Sequence, residues 1–330
     1  MASVDTRSAG PDTLGPAERA PAPGRRGPSR HGGRWVPYVL LAPYLLLFFA
    51  FVLAPIVYGI WVSLHIWDFT LPNKPWTGLG NYRDLFDSES VVGPDFIRAM
   101  KATAIFTILS VPLLVVIPLG VAMLMNAKFP GRNLFRAVYF APYVLGVAVI
   151  GVLWRYILDG NIGLLNHYLG ILGLPDDIAW TTSTPAAWVA LVGVTVWWTL
   201  GFNAVIYLAG LQDISPELYE AAIIDGAGPW ARFRNVTLPG LRPVLQFVVI
   251  TTIIASANMF GQSYIITQGQ PGNETRTAIM YIAETGLKNF DMGRAAAMSF
   301  VLTVCLLLLS GLVMLLFRER KPKPLKGVSA

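Results

Sequence analysis

Charge is what this sequence has least of. Only 13% of its 330 residues are Asp, Glu, Lys or Arg, about half of the ~25% usual in a soluble domain, so an ordinary water-facing surface cannot be built from it. Cysteine is nearly missing as well. Cys305 stands alone inside an apolar run, which excludes a disulfide framework and a cysteine-rich metal centre. His31, His65 and His167 are scattered without ligand spacing, and no metal site is expected. No G-x-x-x-x-G-K-[ST] phosphate loop occurs, nor H-E-x-x-H, nor G-x-S-x-G. The chain therefore offers neither a cradle for ATP phosphates nor a hydrolytic constellation, and it is read as no enzyme and as binding no cofactor of its own.

What the chain has instead is apolar length. Hydrophobic residues make up 54% of it, and the mean hydropathy is +0.55. Six runs, at about 37–63, 102–126, 138–158, 186–211, 243–267 and 295–317, are each near or above the ~20 residues that span a bilayer. The expected fold class is all-α, a polytopic membrane protein of six transmembrane helices. Pro43, Pro55, Pro112, Pro118 and Pro142 fall inside these runs, where membrane helices tolerate proline at the cost of a kink.

The net charge of +6 does not point to nucleic acid, because the basic residues gather at the ends of apolar runs rather than on one aromatic-interleaved face. Residues 1–35, with six arginines and almost no large apolar side chain, read as a disordered basic tail that anionic membrane lipid would hold. They are not read as a cleaved signal peptide, since the apolar stretch that follows is too long. Residues 319–330, with Arg318 just before them, form a second basic tail. Lys and Arg number 17 on the side holding both termini and the 127–137 and 212–242 loops, against 8 on the other. By the positive-inside rule both termini are cytoplasmic and the protein lies in the cell membrane.

On the opposite side, the segment 64–101 carries Trp67, Trp76, Tyr82 and Phe86 and reads as a small folded cap. Trp61, Trp67 and Trp154 are read as an interfacial aromatic belt. The segment 159–184 should include a short helix at about 164–172. Either loop is open to an outside partner.

No carboxylate lies within the six runs, and Arg155 stands at the outer end of the third. A proton-coupled carrier needs ionisable groups in the membrane, so the driving force should come from outside it, although sodium held by carbonyls stays possible. A neutral interior suits a sugar, whose hydroxyls need neutral partners and whose C–H faces pack on aromatic rings. The pathway candidates are Trp197, Trp198 and Asn203 in the fourth run and Ser256, Asn258, Gln262 and Tyr264 in the fifth. Asn258 and Gln262, four apart, are predicted to share an inward helix face. Hydrogen bonding between helices is the other use for such amides.

Between the fourth and fifth runs lies a polar stretch, Glu220-Ala221-Ala222-Ile223-Ile224-Asp225-Gly226, with Val236-Thr237-Leu238-Pro239 following ten residues after the glycine. Ser215 is a plausible N-cap, and Pro216 and Glu217 suit a first turn. The helix should break at Gly226 and Gly228, where positive φ is cheap. Pro229 should open a second helix that Pro239 and Gly240 end.

This stretch resembles the cytoplasmic signature loop of the permease subunits of type I ABC importers, which reads E-A-A, three residues, G, nine residues, I-x-L-P. Val236 in place of isoleucine is the single departure. By ordinary residue frequencies a chance match is on the order of 1 in 10^5 for a chain of this length.

The resemblance covers about 36–318, as a transmembrane permease domain, and is closest to the carbohydrate uptake branch. There the segment after the fifth helix often reads L-T-x-G-G-P, and Gln270 departs from its second glycine. It implies a coupling loop at 212–242 that docks on a separate ATPase. Glu220 would anchor that loop, Ala221 and Ala222 would allow close approach, Gly226 would allow the bend, and Asp225, Val236, Leu238 and Pro239 would complete it. The implied partners are a second permease subunit, two ATPase subunits that bind ATP and Mg, and an extracytoplasmic solute-binding protein. The alternatives are the same architecture for glycerol phosphodiesters or another solute, with Arg155 or Arg294 as the cation a phosphate would want, or an ion-coupled carrier or integral membrane enzyme.

Overall fold

The computed structural model describes residues 36–127 and 130–318. Both basic tails, 1–35 and 319–330, lie outside the described residues. The chain divides into two units at Pro55. In the first, α1 (Val36–Phe48) contains Pro43 and passes into a π-helical turn at Phe49–Leu53. The chain continues as α2 (Ala54–Ser63), and Tyr38–Ser63 is long and apolar enough to cross a membrane.

The second unit is helical, with no strand among the described residues. Its elements are α3 (Gly80–Asp84), α4 (Gly93–Asn126), α5 (Arg132–Val144), α6 (Val147–Ile157), α7 (Leu164–Ile171) and α8 (Ala186–Asp213), then α9 (Pro216–Ile224), α10 (Pro229–Arg232), α11 (Leu238–Gly240), α12 (Arg242–Ala257), α13 (Ala278–Ala283) and α14 (Met292–Phe317). Four helices pass as continuous spans and two bent pairs bring the number to as many as six.

Three of the six predicted runs differ from what the chain does. The second starts earlier: Pro94 and Asp95 open α4 at Gly93, because proline in the first turn and a carboxylate near the N-terminal dipole favour starting there. The third is two helices, α5 and α6, meeting at 96°. Pro142 weakens the end of α5, and Leu145 and Gly146 are extended. The fifth ends at Ala257, after which the chain resumes only as a π-helical turn at Ser263–Thr267.

Two further segments fold as small tertiary units. Asn81, buried in α3, donates from Nδ2 to the carbonyls of Ser63 (2.8 Å) and His65 (2.9 Å). Arg294 at the start of α14 reaches Asp84 at 2.8 Å and Asp291 at 3.1 Å. The cap expected from 64–101 is therefore pinned to α14. In the 159–184 segment, Asn166 of α7 accepts from Trp180 Nε1 at 2.7 Å and donates to the carbonyls of Gly160 and Ile178.

The core lies where α8 packs between α4 and α5. Half of the most apolar stretch of α8 is buried, whereas α14 keeps Leu307, Leu308 and Leu316 on its surface, as a helix bordering lipid does. Close approach of α5 to α8 depends on Gly201, where any Cβ would run into the backbone of Tyr139 and Phe140. Gly193, two turns earlier on α8, faces open space. Gly201→Val should therefore cost about 1–3 kcal/mol through overpacking, read as a lower thermal midpoint of the detergent-purified protein. Gly193→Val should leave that midpoint close to wild type.

Candidate functional site: an exposed elbow and a neutral cavity

The elbow follows α8 directly. Pro216 opens α9 and Ser215 holds its N-cap position as expected, but the Ser215 hydroxyl makes no hydrogen bond to the helix amides. Gly226 has φ +78°, the left-handed conformation that ends helices cheaply only for glycine. Gly228 does not share it; at φ −68° and ψ 171° it is the extended lead-in to α10. The second arm, opened by Pro229, ends at Pro239 and Gly240 as expected. A π-helical turn at Phe233–Thr237 carries the chain into α11, and the bend of 69° falls between Gly240 and Arg242.

A polar contact between Tyr219 Oη and Thr237 Oγ1, at 3.0 Å, ties the arms. Glu220, Ala221, Asp225, Leu238 and Pro239 are exposed, and Ala222 and Val236 are half-buried. Ile224 is 86% exposed and Trp230 71%. Leu218 and Ile223 are each 55% exposed as well, so the elbow presents several large apolar side chains to its surroundings. At its root the elbow is fixed: Leu211 and Leu241 are buried with Tyr207, Val248 and Met125, which joins it to α4, α8 and α12.

A cavity of about 390 Å³ opens among α4, α8, α12 and the break after Ala257. Trp198, Asn203, Ser256, Asn258 and Gln262 line it. Trp197 and Tyr264 do not. Trp197 packs edge-on against Trp154 at 5.4 Å, and Tyr264 stacks on Phe260 at 5.1 Å with the Lys288 ammonium 5.5 Å from its ring.

The expected shared helix face of Asn258 and Gln262 is not formed. Asn258 is the C-cap of α12, donating back to the Ile254 carbonyl at 2.8 Å, and Gln262 lies beyond the break. The break itself brings both to the cavity. Gly261 permits this turn, since a Cβ there would meet Val147.

No Asp, Glu, Lys or Arg lines the cavity. Its polar groups differ in how far they are already committed. Asn203 Nδ2 donates to the Leu114 carbonyl at 3.0 Å, the acceptor that Pro118 frees four residues on. Trp198 Nε1 donates to the Leu145 carbonyl at 3.0 Å, at the α5–α6 break. Ser256 Oγ meets Ser110 Oγ at 3.1 Å. Gln262 is only 7% exposed, and its side-chain amide has no hydrogen-bond partner among the described residues.

Thr195 and Thr199 also line the cavity. Spaced eight and four residues before Asn203, they share its helix face, so that spacing could have found them. Tyr143 and Phe202, stacked at 4.8 Å, come together only through the α5–α8 packing and carry no such signal.

A multi-pass helical bundle with an uncharged cavity and an exposed elbow between spans defines a membrane transport subunit. Residues 102–321 match the family described as the binding-protein-dependent transport system inner membrane component, and the chain belongs to that family. Among curated relatives, the trehalose/maltose transport system permease protein MalF of Thermococcus litoralis is 33% identical over 271 residues, covering 82% of this chain and 89% of the relative. The sn-glycerol-3-phosphate transport system permease protein UgpA of Pectobacterium atrosepticum is 32% identical over 290 residues, covering 87% and 95%. Among solved structures, a chain of a bacterial alginate ABC transporter, in complex with an alginate pentasaccharide-bound periplasmic protein, has the same fold. It matches with a TM-score of 0.73 at 24% identity, over 86% of this chain and 94% of that one.

The two amides should separate on substitution. Asn203→Leu leaves the Leu114 carbonyl unpaired and should cost about 1–3 kcal/mol, while Gln262→Leu, which breaks no bond within the chain, should leave the thermal midpoint within a degree or two of wild type.

Proposed function

We propose that this ABC-importer permease subunit translocates a sugar or oligosaccharide handed over by an extracytoplasmic binding protein. The observation that carries the solute class is the cavity: amide and hydroxyl groups set among Phe106, Tyr143, Trp198, Phe202 and Phe260, with no charge in the lining. Rings pack against the C–H faces of a pyranose and neutral groups satisfy its hydroxyls, so each part of the lining has a counterpart on a carbohydrate. The Gln262 amide is the uncommitted member and the best candidate for a direct solute contact.

The same observation disfavours a phosphate-bearing solute. Arg155 and Arg294 both lie outside the cavity, and the Arg294 guanidinium is already engaged by Asp84 and Asp291.

In this reading a second permease subunit completes the pathway and two ATPase subunits, which hold ATP and Mg, drive it. Both termini and the elbow face the cytoplasm. The exposed apolar side chains of α9 and α10 enter a groove on one ATPase, and Glu220 anchors the docked loop. When the ATPase pair closes, the elbow moves as one piece because Tyr219 and Thr237 tie its arms. The buried root at Leu211 and Leu241 passes that displacement to α8 and α12, the helices that wall the cavity. Alternating exposure of the cavity follows from their relative movement.

Two substitutions test the coupling and one the solute site. A Cβ at Gly226 meets no atom within 4 Å, so Gly226→Val strains only the backbone, by roughly 1–2 kcal/mol. The variant should insert and be extracted like wild type while uptake falls to background. Ile224→Asp should abolish copurification of the ATPase. Unchanged uptake in the first, together with full ATPase recovery in the second, would remove the coupling role. Gln262→Ala should weaken uptake of the solute retained by the purified binding protein with no loss of assembled complex; wild-type uptake would take Gln262 out of the pathway.

A further inference from the structure

At the end of the bundle away from the elbow, a cleft of about 410 Å³ lies between α4, the start of α8 and the loop at Glu274. It belongs neither to the neutral cavity nor to the elbow, and its lining is charged. Arg98 and Lys101 approach it from α4, Glu274 from the loop, and Trp188, buried in α8, closes its floor. Lys101 has no ion-pair partner among the described residues. Arg98 reaches only Asp95, at 3.3 Å, and the other oxygen of that carboxylate is held by Arg276 at 2.7 Å. Arg276 is also held by Glu284, at 3.6 Å, and lies outside the cleft, whose own lining of Arg98, Lys101 and Glu274 carries one more positive than negative charge. Glu274 has one oxygen committed to the Thr184 hydroxyl, at 2.7 Å, and the other available.

The arrangement along α4 limits the ligand. Lys101 is the last charged residue before the apolar part of the span, and Lys101, Ile105 and Ile108 follow one another at i, i+4 and i+7, on one helix face. Ile105 lines the cleft below the cation, and Ile108, a turn further, is 70% exposed. On α8, Val189, next in sequence to Trp188, is 59% exposed. Cations at the top of a face that continues as exposed aliphatic surface suit an amphiphile lying along the helix. A free ion would use none of the lower half.

We infer that this cleft is a binding site for the zwitterionic headgroup of a membrane phospholipid, an ethanolamine phosphate. The phosphate oxygens accept from Lys101 Nζ and the Arg98 guanidinium, the ammonium pairs with the free oxygen of Glu274, and the acyl chains follow Ile105 and Ile108 into the bilayer. A bound lipid would bridge α4, α8 and the Glu274 loop.

The test is native mass spectrometry of the assembled complex carrying the full-length chain, delipidated and then titrated with phosphatidylethanolamine or phosphatidylglycerol. Wild type should retain one phosphatidylethanolamine per copy of this chain. Lys101→Ala and Arg98→Ala should each weaken that retention about tenfold, the worth of one charge-assisted hydrogen bond, and Lys101→Arg should restore it. Glu274→Gln should remove the preference for ethanolamine over glycerol headgroups. Lys101 and Arg98 are exposed, so thermal midpoints should stay at the wild-type value and separate lipid loss from misfolding. Retention that is the same in all variants overturns the proposal. So does displacement of the lipid by millimolar inorganic phosphate, which would mark a free-anion site. Loss of binding-protein docking with lipid retention unchanged overturns it too, by marking a protein surface.

Discussion

A backbone carbonyl that loses its helical partner within a bilayer has no water to turn to, and leaving it unpaired costs roughly 2–7 kcal/mol. Much of this bundle follows from meeting that demand. Pro118 frees the carbonyl of Leu114, and Asn203 crosses from α8 to take it. The right-angle break after Val144 frees Leu145, and Trp198 takes that. Where the chain breaks after α12, Thr277 donates to the Met259 carbonyl at 2.7 Å, and Thr103 accepts from the Ala278 amide at 2.8 Å, a donor left over at the start of α13. The helix ends nearest the elbow are met by cations: Arg136 donates to the Met125 carbonyl at 2.7 Å and Arg242 to Phe317 at 3.2 Å.

These repairs explain why the cavity lies where it does. An unbroken helix presents only side chains to its neighbours and packs tightly against them. Broken helices leave space at the break and gather polar side chains there to satisfy the backbone. Asn203 and Trp198 therefore do two jobs: one end of each holds the architecture, while the rest lines the cavity. Gln262 lacks the first job. Its amide lines the open cavity and is not among the sealed, unpartnered polar atoms, and in the proposed function a solute hydroxyl would pair with it.

The same physics sets what was legible in the sequence. The apolar runs and the elbow were readable because hydropathy and the glycine at position 226 are local properties, while the division into four continuous and two bent spans was not. Two details of the elbow were not. The Ser215 hydroxyl makes no hydrogen bond to the helix amides and Gly228 is extended, neither of which residue type alone fixes. Proline and glycine near 142–146 announce a kink, but not that its angle is 96°, because that angle depends on Trp198 arriving from another helix. For the cavity, the residue types Trp, Asn, Ser and Gln were the right vocabulary. Helical periodicity was the wrong ruler past Ala257, where the helix stops. Tyr264 lies on the far side of that break, stacked on Phe260, and Trp197 faces Trp154 because α8 turns 100° between consecutive residues.

Position within the bundle connects the elbow to the cavity without any special wire. Helix α8 carries Thr195, Thr199 and Asn203 on the cavity wall, and one to two turns later Tyr207 and Leu211 lie in the buried root of the elbow. Helix α12 runs the opposite way, from Leu241 in that root to Ser256 at the cavity. Helices transmit axial and tilting displacements along their length because their hydrogen bonds resist compression, and close-packed interiors do not absorb them. In the proposed coupling, a push on the elbow would reach the two cavity walls through two rods of opposite direction, across the 69° bend between Gly240 and Arg242. With no charge in the lining, walls moving past one another have no ion pair to break. In the proposed mechanism, the energy separating two states of the cavity would then reside in packing and in the contacts of the elbow with its ATPase.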